Sequence, residues 1–131
     1  MSLVDCRTAR AIALLVLLAA PGCSEPKAAG LRIVPRSSRK EAGLYVVTAL
    51  LENSSGRRIG LEEITVEMTT FDRDGRVLAC GYPFYLKGRL GPFATTRIPL
   101  NRPDRDGQVD RASVVLKDSR GRVLSEAEVP R

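Results

Sequence analysis

Hydrophobic positions along this chain recur mostly in steps of two, the period of a strand with one buried face. The pattern is clearest in Leu61–Leu86. There Ile64, Val66 and Met68 share one phase, while Glu63, Thr65, Glu67 and Thr69 share the other. The alternation breaks at Asp72-Arg73-Asp74-Gly75 and resumes with Val77-Leu78, which predicts a hairpin whose Gly75 takes a positive φ. Pro83 interrupts the second arm and calls for an edge position or a bulge there. Upstream, Leu44–Glu52 is apolar in both phases, with Tyr45, Val47, Ala49 and Leu51 in one and Leu44, Val46 and Leu50 in the other. A helix of that length is conceivable, but β-branched and aromatic content favours a central strand. Leu31–Val34 predicts a short edge strand stopped by Pro35 and followed by a basic loop, Arg36–Glu41. Beyond the loop Lys87–Pro92 come a strand over Phe93–Leu100, a polar loop over Asn101–Asp110, and a hairpin of Arg111–Lys117 with Val123–Val129. About seven strands with no convincing helix predict an all-β antiparallel sandwich over residues 31–131.

The first residues read as a leader. Arg7 and Arg10 precede an apolar run, Ala11–Ala20. As a helix that run is roughly 15 Å long, short of a hydrocarbon core of roughly 30 Å. It ends in Ala20-Pro21-Gly22-Cys23, which resembles the bacterial lipobox, where cleavage before a cysteine leaves a thiol that carries diacylglycerol. An ordinary cleaved signal is the alternative, although Gly-Cys falls where the apolar run ends. Residues 1–22 are therefore expected to be a lipoprotein signal peptide, Cys23 the lipidation site, and residues 23–30 a flexible tether. Ser24 follows the cysteine, and in lipoproteins of Gram-negative bacteria a residue other than Asp there usually accompanies transport to the outer membrane. The expected location is the cell envelope, at the outer membrane facing the periplasm.

Composition narrows the chemistry. The chain has no histidine, which removes the common acid–base and nucleophilic triads and nearly all zinc or copper sites. Of the three cysteines, Cys6 leaves with the leader, so with Cys23 lipidated Cys80 is expected to be a small buried apolar side chain. The formal charge is +6, and about +5 once Arg7, Arg10 and Asp5 are gone. No run of Lys and Arg interleaved with aromatics is present, so anionic headgroups or acidic partners are expected before nucleic acid.

A spacing of Asn or Asp, two residues, Gly and Arg recurs at Asn53–Arg57, Asp72–Arg76 and Asp118–Arg122. It predicts three similar turns, not an internal repeat. Together with Phe71-Asp72, Gly75-Arg76-Val77 and Leu90-Gly91-Pro92-Phe93, the stretch from Val46 to Leu100 resembles the FxLYD type of immunoglobulin-like domain found in bacterial envelope proteins. Two positions depart from that pattern: Thr70 stands where Leu is frequent, and Pro83 interrupts a strand. The resemblance implies an Ig-like sandwich serving as an interaction or spacer module, with no catalytic residue to carry over.

Other candidate sites weaken on inspection. Asp104, Asp106, Gly107 and Asp110 are spaced like part of a calcium loop, but Arg102 and Ser113 occupy positions that should be acidic. An Asp-Gly turn is the better account. Glu62, Glu63 and Glu67 read as a solvated face, and Ser37-Ser38 and Ser54-Ser55 have no base beside them. If consecutive strands run antiparallel, the tether shares one end of the sandwich with Arg57, Arg58, Lys87, Arg89, Arg120 and Arg122, a basic end that would face the membrane. The expectation is a non-catalytic, lipid-anchored adaptor or accessory module without cofactor or metal. It would bind the membrane through its lipid and another envelope protein through a strand edge, Leu31–Val34 or Val123–Val129, or through a loop end. The alternatives are an enzyme or enzyme-regulating lipoprotein of cell-wall or carbohydrate metabolism, and a structural spacer.

Overall fold

The computed structural model describes residues 28–130. The signal peptide, Cys23 and most of the tether lie outside them. Nine strands are present among the described residues, and no helix. β1 (Leu31–Glu41) and β2 (Leu44–Asn53) form a hairpin, and β7 (Thr95–Pro103) pairs with the other side of β2. The second sheet runs β5 (Val77–Tyr85), β4 (Thr65–Phe71), β8 (Arg111–Lys117), β9 (Val123–Glu128), every pairing antiparallel. A small ladder of β3 (Ile59–Gly60) with β6 (Arg89–Leu90) bridges the sheets at one end.

The two sheets bury the phases that alternation selected. Tyr45, Val47, Ala49 and Leu51 of β2 face Ile64, Val66 and Met68, and all are nearly inaccessible. Each of the Val, Leu, Ile and Met side chains contributes about 1.5–3 kcal/mol by leaving water, an upper figure because the unfolded chain is already partly collapsed. β2 also buries Val46 from its outer phase, as suits a strand flanked on both sides.

Three local expectations change. β1 does not stop at Val34 but runs through Pro35 to Glu41, so the expected basic loop is strand. Pro35 is tolerated because β1 pairs on one side only, and a bulge between Pro35 and Ser37 takes up the irregularity. The hairpin then closes on Ala42 and Gly43, both at positive φ (48° and 78°), the conformation of the tightest strand connection. Second, ordered structure begins before Leu31: Ala28 is buried in the core, and the Leu31 amide donates to its carbonyl. Third, Cys80 is not a buried apolar filler. It is half-buried on β5 and disulfide-bonded, and the other cysteines, Cys6 and Cys23, lie outside the described residues.

Pro83 finds the setting its presence called for. β5 is an edge strand, and Cys80 and Gly81 form a bulge opposite Thr69, with Gly81 at φ 68° donating its amide to the Thr69 hydroxyl. The recurrent turn motif divides. Asp72 and Asp118 build the same turn: each carboxylate accepts two backbone amides, those of Asp74 and Arg76 or of Arg120 and Arg122. Asn53 does something else. Its side-chain NH2 donates to the carbonyls of Arg57, Leu90 and Gly91, and its Oδ1 accepts from the Ser55 amide and hydroxyl. The chain leaves β2 for the bridging ladder here rather than folding back, and only an amide supplies those donors.

Candidate functional site

Antiparallel pairing sorts the loops to two ends. Segment 28–30, the loops over 54–64 and 86–94, and the 118–122 turn share the tether end. Hydrogen bonds stitch them together: Ser54 amide to Gly30 carbonyl, Leu61 amide to Gly88 carbonyl, and Phe93 amide to Ser55 carbonyl. Gly60 pairs with Arg89 across the bridging ladder, and Arg58, which leads into that ladder, lines the same depression as Arg89. That depression, of about 630 Å³, is also lined by Arg120 and Arg122, with Ala28, Glu62, Glu63 and Asp118.

All six cations expected at this end are there, though not all are alike. Arg122 is committed within the fold, its Nε donating to Asp118 Oδ2 at 2.8 Å. Burial pushes the Asp118 carboxyl up, but hydrogen bonds from Arg122 and Arg120 and the Arg122 charge outweigh it and hold the group below its ordinary value. Arg57, Arg58, Lys87, Arg89 and Arg120 are exposed, with no ion pair seen among the described residues. Glu62 and Glu63 offset part of this charge.

Two exposed aromatics stand at the same end, and alternation did not flag them. Phe93 is 74% exposed and sits at φ 56° rather than in an extended strand, which starts at Thr95. The Ala94 amide donates to the Gly91 carbonyl, so Pro92 and Phe93 are the central residues of a tight turn, and Phe93 takes the place that favours glycine. The Gly91-Pro92 pair was the available signal. Tyr85, 78% exposed, ends β5.

The long sides of the sandwich also differ. β1 and β9 cover each other: the Ile33 amide donates to Ser125 Oγ at 3.3 Å, and Ser38 Oγ donates to the Pro130 carbonyl at 2.9 Å. The expected docking edges, Leu31–Val34 and Val123–Val129, are therefore turned toward one another. The open edges are β5 and β7, with a cleft of about 660 Å³ at the tether end of that side, lined by Phe84, Leu86, Ala94, Ile98 and Pro99 among others. Both edges contain prolines, Pro83 on β5 and Pro99 and Pro103 on β7, which lack the amide an added strand would use. Farther along, Arg102 reaches inward, its guanidinium donating to the buried Thr70 hydroxyl and lying 5.6 Å from the Tyr82 ring centre. A leucine at position 70 would remove the acceptor that Thr70 offers the Arg102 Nη1, leaving that side chain its bond to the Pro103 carbonyl.

The remaining candidates are structural. The Asp104 carboxylate turns inward, accepting the amides of Gln108 (2.9 Å) and Val109 (3.3 Å), while Lys40 lies 3.8 Å from its other oxygen. Glu67 pairs with Lys117 at 2.9 Å on the outer face of the second sheet. Ser54 donates to the Gly30 carbonyl, and Ser55 to Asn53 Oδ1. Among the described residues no group of three or more His, Cys, Asp or Glu side chains could hold a metal.

No family model matches the chain, and no curated protein matches it. Solved structures do. A DUF1425 family member from Shewanella sp. pv-4 superposes with a TM-score of 0.51 over 66% of this chain and 75% of that one, at 12% identity. The alkylpurine DNA glycosylase AlkC of Pseudomonas fluorescens, bound to DNA containing an abasic site analog, gives 0.47 at 18% identity over 91% of this chain and 34% of that one. A Bacteroides uniformis β-glucuronidase gives 0.49 at 13% identity, covering 76% of this chain and 12% of the enzyme. The first likeness is one of fold, an antiparallel β-sandwich. The latter two are weaker and match only fractions of much larger enzymes.

Proposed function

We propose that this protein is a lipid-anchored envelope protein, attached through Cys23, whose single FxLYD-type, Ig-like domain is a non-catalytic interaction module. It sits at the outer membrane with its tether end toward the headgroups and offers its open side to another envelope protein. The observation that carries this reading is the gathering of Arg57, Arg58, Lys87, Arg89 and Arg120 at the end where the tether enters the fold. A cation near an anionic surface contributes about 1 kcal/mol before salt screens it. Because the open edges carry prolines, the partner docks by side chains along the β5–β7 side and not by adding a strand.

Photo-crosslinkers placed at Tyr82 and Pro99 in intact cells test the adaptor role. One envelope protein recovered in stoichiometric yield supports it, and capture of nothing but lipid from both positions overturns it. Anchoring is tested by palmitate labelling of wild type and Cys23→Ser, with label lost in the variant. Lipid and disulfide compete for sulfur: one Cys23 thiol cannot carry diacylglycerol and also join Cys80, so the intact mass of the mature protein distinguishes the two.

A further inference from the structure

Phe93 is a cost that the fold itself does not recover. Its backbone holds a left-handed conformation that L side chains rarely adopt, and its ring is 74% exposed, lies near Gly56 and is not part of the core. Glycine would relax the turn without losing a core contact. An aromatic held there against local preference points outward, to something beyond the domain. Its surroundings narrow what that is. The Phe93 amide is bonded to the Ser55 carbonyl at 3.1 Å, which fixes the ring beside the loop that carries Arg57 and Arg58. Tyr85 lines the β5–β7 cleft at the same end, together with Lys87, Arg89 and Ala94, the residue after Phe93. Two exposed aromatics among cations that have no ion pair among the described residues form the composition of a bilayer interface, where rings sit at headgroup depth and cations meet phosphate. The five residue steps from Cys23 to the buried Ala28 span at most about 18 Å, so a lipid on Cys23 keeps this end at the membrane surface.

We infer that Phe93 and Tyr85 are interfacial anchors that insert this end of the domain into an anionic bilayer, with Arg57, Arg58, Lys87 and Arg89 at the headgroups. This rests on the membrane-facing reading above and adds insertion to it. The contact fixes the orientation of the domain, so that the β5–β7 side stands upright from the membrane and is presented laterally to a partner.

The chain contains no tryptophan, so one substituted at position 93 reports alone. The protein from Cys23 onward, made without its leader and hence unacylated, is mixed with phosphatidylglycerol-containing vesicles or with pure phosphatidylcholine vesicles. The Phe93→Trp protein should float with the anionic vesicles, shift its emission to the blue and be quenched by brominated acyl chains. Tyr82→Trp, set back along the open side, should not shift. Phe93→Gly, which relieves the backbone, should fold at least as stably and lose about tenfold in vesicle partition. Flotation that depends on Arg57, Arg58 and Arg89 with no shift at position 93 overturns insertion and leaves the headgroup contact standing. Absence of flotation with either vesicle overturns both. Full binding by Phe93→Gly also overturns the inference.

Discussion

The two ends of the sandwich use their charged residues differently. At the end away from the tether several charged side chains are tied into the fold, and those left exposed, Arg73, Asp74, Arg105 and Asp106, mix both signs. Asp72 accepts the amides of Asp74 and Arg76, Asp104 those of Gln108 and Val109, and Lys40 donates to the Gly107 carbonyl. Arg102 bonds the buried Thr70, and Arg111 lies 5.0 Å from the centre of the Phe71 ring. At the tether end Arg122 is engaged with Asp118, but Arg57, Arg58, Lys87, Arg89 and Arg120 are left to solvent beside two exposed aromatics. Net charge is part of the contrast: at the far end exposed Arg73 and Arg105 stand beside exposed Asp74 and Asp106, whereas at the tether end six cations face only Glu62, Glu63 and Asp118. The excess of cations with no ion pair among the described residues is what the tether end can offer another molecule.

Substitutions sharpen that contrast. The largest effect is expected at Asn53, the buried tether-end side chain that ties two loops together. Asn53→Asp replaces a donor facing the carbonyls of Arg57, Leu90 and Gly91 by a buried carboxylate, and should lower unfolding free energy by about 3 kcal/mol or more in urea titrations. Asp104→Ala at the far end strips the acceptor from two amides, one of them at buried Val109, for about 2 kcal/mol; Asp104→Asn, which keeps that oxygen, should lose much less. Phe93→Gly should raise stability by about 1 kcal/mol, read as a higher melting temperature. Arg58→Ser and Arg89→Ser together should change stability by no more than about 0.5 kcal/mol, because both side chains are exposed and neither has an ion-pair partner among the described residues. A loss comparable to that of Asp104→Ala would erase the distinction between the ends.

The smallest effect depends on pH. The folded Asp118 carboxyl titrates below its ordinary value of 3.8. Its contribution is therefore present above that value and is lost as pH falls through the lower, folded one. Solvent reaches the turn, so the Arg122 pair is worth only a few tenths of a kcal/mol. Asp118→Asn should be less stable than wild type by that amount at pH 7 and equal to it near pH 2, and a gap that widened in acid would contradict the sign.

Much of the fold was legible because its causes are local. The alternation of Ile64, Val66 and Met68 and the two-phase run of Leu44–Glu52 placed the core strands, and the shared chemistry of Asp72 and Asp118 gave matching turns. Pro35 misled for a local reason too: it marks the end of a strand only where both sides must pair, and β1 pairs on one. Asn53 matched the turn motif by spacing, yet its side-chain NH2 bonds three carbonyls, the farthest 38 residues away. Phe93 has the hydrophobicity of a strand residue but lies before the strand, because hydrophobicity says nothing of φ. The antiparallel alternation of loops was enough to bring the six basic residues to the tether end, but not to show which of them the fold itself consumes.

By itself, then, the order of residues determined the strand phases, the Asp-centred hairpin turns, the leader-like apolar run and the gathering of cations at one end. Those rest on periodicity and on contacts within a few residues. The tertiary structure decided that β1 and β9 close on each other while β5 and β7 stay open, that Thr70 answers Arg102, and that Phe93 is held outward beside the basic loop. Strand order and cross-sheet distance set these, and a period-two pattern is the same whichever neighbour a strand acquires.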